Sequence, residues 1–145
     1  MYTPSVTTGL PNFYPKMCGF FFNRERVLYE HLNLSRGYYM DKLELVFKGG
    51  SDKDFKNLEN RKVQEAFAVD MEMLMNRLRP LSSSKALNGL GKGVFELRKN
   101  GRPAYRLVYT IKDDKVYVLH VYSKTSDGTP KAHEETIKNR YKTIT

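Results

Sequence analysis

Two arginines, Arg98 and Arg106, sit inside apolar runs, one in the LR of VFELRK and the other in the YR of YRLVYTIK. A charge there is less expected than in a loop, and a guanidinium so placed ordinarily has a bound anion or a carboxylate partner. Glu96 lies two residues before Arg98 and so shares its side of a strand. It fits two roles equally well: a base beside a bound anion, or the acidic member of an ion pair that ties strands together. His120, in VYVLHVYSK, is the one histidine inside a strand-like run, whereas His31 falls near the start of the chain and His133 at a helix start. It titrates near neutral pH and can move a proton, although a solitary strand histidine is more often a packing residue.

The surroundings of these residues are basic. Six lysines and arginines but a single acid, Glu96, fall between Lys85 and Arg106, and Lys92, Lys99 and Arg102 belong to that run. Such a concentration reads as a face for phosphate groups. Cleaving RNA without a metal requires three tasks: deprotonating a 2′-hydroxyl, stabilising extra negative charge on the phosphorus oxygens, and protonating the departing 5′-oxygen. Arginines suit the middle task. No metal-ligand spacing and no serine–histidine–aspartate set appears, and GLGKG at 89–93 lacks the spacing of a nucleotide-binding glycine loop. Neither a metal nor a cofactor is expected.

The composition agrees with that direction. A net charge of +9 and a pI near 9.6 attract polyanions, nucleic acid being the commonest, with a generic basic surface as the plainer explanation. The 145 residues fit one domain, and 40% hydrophobic with 28% charged residues is ordinary for a globular chain. The single cysteine, Cys18, cannot form an intramolecular disulfide, which fits a reducing compartment. No apolar run approaches the roughly 20 residues that span a bilayer, and 18–22 is too short for a signal peptide. A cytoplasmic location, with no membrane partner, is the expectation.

The elements that must position these groups begin near residue 40. Residues 1–39 hold Pro4, Pro11, Pro15 and 9 of the 18 aromatics without regular spacing, and read as a poorly ordered or non-native extension with a short helix over 24–32. From 40 to 145 the pattern is regular. A strand over 43–47 ends at Gly49 and Gly50, and Ser51 or Asp52 caps a helix whose first turns are 52–58. A longer helix over 60–79 follows from Val63, Ala66, Phe67, Met71, Leu74 and Leu78, with Pro80 ending it. Met71, Met73 and Met75 read as packing residues rather than a soft-metal site. After a linker, 81–90, come strands over 93–99, 105–112 and 115–124, and a helix over 133–141 preceded by Asp127, Gly128 and Pro130. The result is an α+β fold: a small antiparallel or mixed sheet, two N-terminal helices and a C-terminal helix, with the helices on one face. A two-residue turn at Asp113-Asp114 pairs Leu107 with His120, which puts His120 and Arg106 on opposite faces unless a bulge or a different turn shifts the register.

The run from Leu87 to Tyr141 has a recognisable order: a glycine-rich lead into ELR, then YRLVY, then an LH strand ending in lysine and threonine, then TPK before a helix closing in RY. In this it resembles the toxin component of HigB/RelE toxin–antitoxin systems, including the phage-encoded HigB-like branch of the RelE/ParE superfamily, over about residues 41–142. The resemblance implies a RelE-like fold and cleavage of mRNA on the ribosome. It also implies neutralisation by a helix-turn-helix, HigA-like antitoxin. It places Arg98 at the ELR arginine, Arg106 at the YR arginine and Lys124 at the lysine ending the last strand. Those three, with His120 and Glu96, are the candidate catalytic residues; Lys92, Lys99, Arg102 and Lys131 of TPK are the candidate RNA contacts. Two departures leave the general base open, since lysines that some relatives carry on the ELR strand are Val94 and Glu96 here, and a double lysine is Ser123-Lys124. A ParE-like inhibitor of DNA gyrase shares the fold and is the alternative.

Because the regular pattern lies wholly within 40–145, a chain starting at Met40 is expected to fold and keep its activity. Circular dichroism and a growth-arrest assay on that fragment check this; loss of either on removing residues 1–39 would count against the division.

Overall fold

The computed structural model describes residues 41–125, 127 and 129–145. The expected extension over 1–39, with Cys18 and His31, and Gly128 of the expected turn lie outside them. Period-two alternation and helical stripes then assemble as follows. Strand β1 (Glu44–Phe47) leads into the short helix α1 (Ser51–Lys56) and the long helix α2 (Arg61–Met75). Strands β2 (Ser83–Ala86), β3 (Val94–Lys99), β4 (Ala104–Lys112) and β5 (Lys115–Lys124) follow, and helix α3 (Lys131–Lys142) ends the series. The five strands form one mixed sheet in the order β1-β5-β4-β3-β2, with β1 parallel to β5 and the other neighbours antiparallel. The α+β class stands, with one strand more than expected.

Several boundaries differ from expectation for local reasons. Helix α2 stops at Met75 rather than 79, because Arg77 takes a left-handed φ of 59°. The Leu78 and Arg77 amides then turn back to the carbonyls of Met73 and Leu74, which satisfies two end carbonyls. Leu78 therefore leaves the apolar stripe and is exposed. Neither Ser51 nor Asp52 caps α1: Gly50 occupies that place at φ 87°, and the Ser51 hydroxyl donates to the Val118 carbonyl instead. The expected linker 81–90 contains β2, an edge strand exposed on every residue and so without alternation to betray it.

The sheet is covered on both faces, not one. Phe67, Met71 and Leu74 of α2 are buried, and α2 packs over β1 and β5 toward the face carrying Leu97, Leu107 and Val118. Each fully buried side chain of this size contributes roughly 1.5–3 kcal/mol. On the opposite face, Ile137 of α3 packs with Leu90, Val94, Val108, Leu119 and Tyr122. No helix among the described residues is long and apolar enough to cross a membrane.

Asp70 of α2, a fully buried carboxylate, holds the chain that leads into β2. It accepts from the Leu81 and Ser82 amides at 2.8 and 3.1 Å and from the Ser82 hydroxyl. Asp70→Ala strands these donors and is expected to cost about 3 kcal/mol, whereas Asp70→Asn keeps an acceptor and costs less. Urea denaturation of both variants checks this; equal losses would remove the hydrogen-bond explanation.

Candidate functional site

The β4–β5 hairpin decides which side chains meet. Asp113 and Asp114 both adopt left-handed φ values, 51° and 58°, the geometry of a two-residue hairpin turn. From that turn the pairing is regular through Tyr109 with Val118; the next pair is Val108 with His120, so Leu119 is one extra residue in β5. This bulge moves every later residue of β5 to the other side. Arg106 now stands opposite Tyr122, not Val121, and His120 shares a face with Arg106. The expectation of opposite faces fails because of that single inserted residue.

The same registers place Glu96 opposite Val108, Arg98 opposite Arg106, and Lys124 opposite Ala104. Glu96, Arg98, Arg106, His120 and Lys124 therefore project from one face, the face that α3 partly covers. Lys99 pairs with Tyr105 and belongs to the other face. Lys92 and Arg102 are exposed in the loops flanking β3, and Lys131 is exposed as the first residue of α3.

Two arginines directly opposed on adjacent strands repel unless an acid lies between them. Glu96, 4% exposed, has Oε1 at 3.4 Å from Arg106 Nε and 3.6 Å from Arg98 Nε, so the contacts are ionic rather than full hydrogen bonds. Its Oε2 receives the Tyr122 hydroxyl at 3.4 Å. Arg106 is buried, and its Nη1 donates to the carbonyls of Tyr105 and Lys99 at 2.8 and 3.2 Å. Arg98 is the open member, with its side chain 37% exposed. The pair thus divides the work, Arg106 tying the β3–β4 turn and Arg98 offering a guanidinium to solvent.

Beside this lies a chain of groups that the sequence reading did not assemble. Asp54 of α1 contacts His120 Nδ1 at 3.1 Å, and His120 Nε2 lies 2.8 Å from His133 Nδ1. The His133 ring stacks on Tyr122 with centroids 4.1 Å apart and an 18° interplanar angle. Arg140 Nη1 donates to Asp54 Oδ2 and to the Leu119 carbonyl, both at 2.8 Å. Gly49 makes room for this arginine: its φ is 58°, and a Cβ there would stand 2.8 Å from the Arg140 chain. Two hydrogens on Nη1 are spent in this way, so none remains for His120 Nδ1 at 3.2 Å. Hydrogen counting then assigns the proton of His120 to Nδ1, donated to Asp54, and leaves Nε2 to accept from His133 Nδ1–H. Burial pushes the His120 imidazole below its ordinary value, against the hydrogen bond and charge of Asp54. Desolvation lowers His133 too, and burial raises Tyr122. Tyr122 lies two residues from His120 and Arg140 closes the RY motif, but Asp54 and His133 have no signal at that range. Among the described residues no group of His, Cys, Asp and Glu side chains is arranged to hold a metal ion.

Residues 53–142 match the protein family described as phage derived protein Gp49-like. No curated protein matches the chain significantly. Among solved structures, the RelB–RelE antitoxin–toxin complex of Methanococcus jannaschii aligns at 16% identity and TM-score 0.45, covering 54% of this chain and 88% of that one. The RelBE2 toxin–antitoxin complex of Mycobacterium tuberculosis aligns at 24% identity and TM-score 0.39, covering 57% and 99%. A conserved hypothetical protein of Helicobacter pylori aligns at 28% identity and TM-score 0.36, covering 56% and 93%.

The two lowered imidazoles set a pH dependence of stability. A histidine of the unfolded chain keeps the ordinary value of 6.5, so below it the unfolded state holds more protons than the folded one. The contribution is complete above about pH 6.5 and is lost as the pH falls from there toward the lower folded values. The urea midpoint is expected to drop between about pH 7.5 and 5.5, and less so in His120→Gln. A midpoint that is flat or rises on acidification would contradict the neutral pair.

Proposed function

Since the chain belongs to the Gp49-like family of phage-derived proteins, we propose from that premise that it is the toxin of a toxin–antitoxin pair. It acts in the cytoplasm as a ribosome-dependent, metal-independent endoribonuclease on mRNA. A helix-turn-helix, HigA-like antitoxin neutralises it. The observation that carries this reading is the common face: the bulge at Leu119 brings Glu96, Arg98, Arg106, His120 and Lys124 to one side of the sheet. The order of ELR, YRLVY, LH and TPK motifs, with its resemblance to HigB/RelE toxins, supports the same reading.

In this mechanism Arg98 and Lys124 face the phosphate whose negative charge grows in the transition state, where fixed donors do most of their work. Arg106 is buried behind them and holds Glu96 in place. Lys92, Arg102 and Lys131, exposed around the rim, hold neighbouring phosphates and make binding to the ribosome weaken with added salt. Lys99 serves that rim from the other face of β3.

Arg98→Ala and Lys124→Ala are each expected to slow cleavage roughly 100- to 1,000-fold while changing ribosome affinity only modestly. Arg106→Ala removes one partner of a buried ion pair and is expected to cost about 3–5 kcal/mol of stability. Mapping fresh 5′ ends on messages after induction, with rates in purified ribosome complexes, tests this. Parental rates in folded Arg98→Ala and Lys124→Ala would take catalysis away from these residues. Intact messages with double-strand DNA breaks would replace the nuclease by the gyrase inhibitor.

A further inference from the structure

His120 is poorly placed to meet a substrate. It is 7% exposed, Asp54 occupies Nδ1, and His133 occupies Nε2. The next imidazole differs. His133 spends Nδ1 on His120 and one ring face on Tyr122, and the residue remains partly exposed in the first turn of the twelve-residue helix α3. The two nitrogens of an imidazole diverge, so Nε2 of His133 is directed away from His120.

We infer that His133 is the general base of the proposed cleavage, and that Asp54 and His120 are positioning residues that fix its tautomer with the lone pair on Nε2. The inference rests on the nuclease reading and names a proton carrier for it. Three separate features agree. The chain Asp54, His120, His133 has hydrogen-bond distances of 3.1 and 2.8 Å, with a defined donor at each step. Tyr122, which carries His133 on its face, stands directly opposite Arg106 and touches Glu96 with its hydroxyl, so the base lies one tyrosine ring from the arginine pair. The first turn of a helix favours a neutral imidazole over its cation and draws an anion such as phosphate. The charged and titratable groups facing His133 are Asp54 from α1, His120 and Tyr122 from β5, and Arg140 from α3 behind Asp54. Desolvation pushes the His133 imidazole below its ordinary value, against the charge of Asp54, toward the neutral form a base needs.

In the step itself, His133 Nε2 takes the proton of a 2′-hydroxyl and the 2′-oxygen bonds to the adjacent phosphorus. The bond from phosphorus to the 5′-oxygen breaks, and that oxygen takes a proton from water. The products are a 2′,3′-cyclic phosphate and a 5′-hydroxyl, and the imidazolium returns its proton to the hydroxide formed. Arg98 meets the charge on the phosphorus oxygens.

The test is His133→Asn, whose amide N–H still reaches His120 Nε2 while the basic nitrogen is gone. With ribosomes and mRNA, the folded variant is expected to cleave roughly 100- to 10,000-fold more slowly than the parent with unchanged ribosome binding. Asp54→Asn removes a charge that raises His133, so the acid limb of its kcat/KM profile is expected to move to lower pH. Imidazole nitrogen shifts are expected to show His133 protonated on Nδ1 at neutral pH. A parent that cuts beside a His133→Asn variant within about threefold of it overturns this assignment and leaves the nuclease reading standing. Protonation of His133 on Nε2 does the same. A parent that cuts nothing overturns both.

Discussion

An arginine buried in a β-sheet must be neutralised and must place up to five N–H groups. Arg106 is 4% exposed, and the structure around it answers that demand. The carbonyls of Lys99 and Tyr105 take Nη1, Asn100 stands 3.5 Å from Nη2, and Glu96 supplies the charge beside Nε. Glu96 is thereby buried too, and its other oxygen meets Tyr122. Tyr122 carries His133, and His133 joins His120 and Asp54. The buried ion pair and the polar face beside it are here one contiguous network, in which the same Glu96 oxygen that neutralises Arg106 also lies beside Arg98.

The parts of this that were legible in the sequence are those written in short-range pattern. The paired apolar strands around Asp113-Asp114 announce the hairpin, and the 3.6-residue stripe through Phe67, Met71 and Leu74 announces α2. Arg98, Arg106 and His120 stood out because charges interrupt apolar runs. What escaped was written elsewhere. SSKA at 83–86 is exposed on both sides and shows no alternation. The end of α2 depends on Arg77 entering a left-handed conformation usually given to glycine, so Pro80 was the misleading signal. Asp54 and Arg140 are 86 residues apart and Asp54 and His120 66 apart, distances at which only the fold creates a neighbour.

Helix α3 joins these scales. Its Ile137 seals the apolar half of the face, while Arg140 and His133 reach the polar half. Tyr141 donates to the Lys92 carbonyl at 3.0 Å, and its ring lies where a Cβ on Gly91 would stand 2.8 Å away. Gly49 and Gly91 are thus docking positions for two successive side chains of one helix. The glycine-rich segments that look like punctuation in the sequence are the sockets that set where the histidine of α3 falls.

The bulge in β5 has a genetic meaning. Between Leu119 and Lys124 the assignment of side chains to faces depends on a count of residues and on no particular residue type. Removing one codon at position 119 would restore an unbroken ladder and leave His120 opposite Val108, whereas removing one at position 121 would turn Tyr122 and Lys124 toward α2 with no functional residue replaced. Substitutions elsewhere in the strand would be tolerated according to size and polarity. The site is therefore encoded partly as chain length, and in-frame deletions in β5 beyond His120 are a class of variation to which it is far more vulnerable than its surface composition implies.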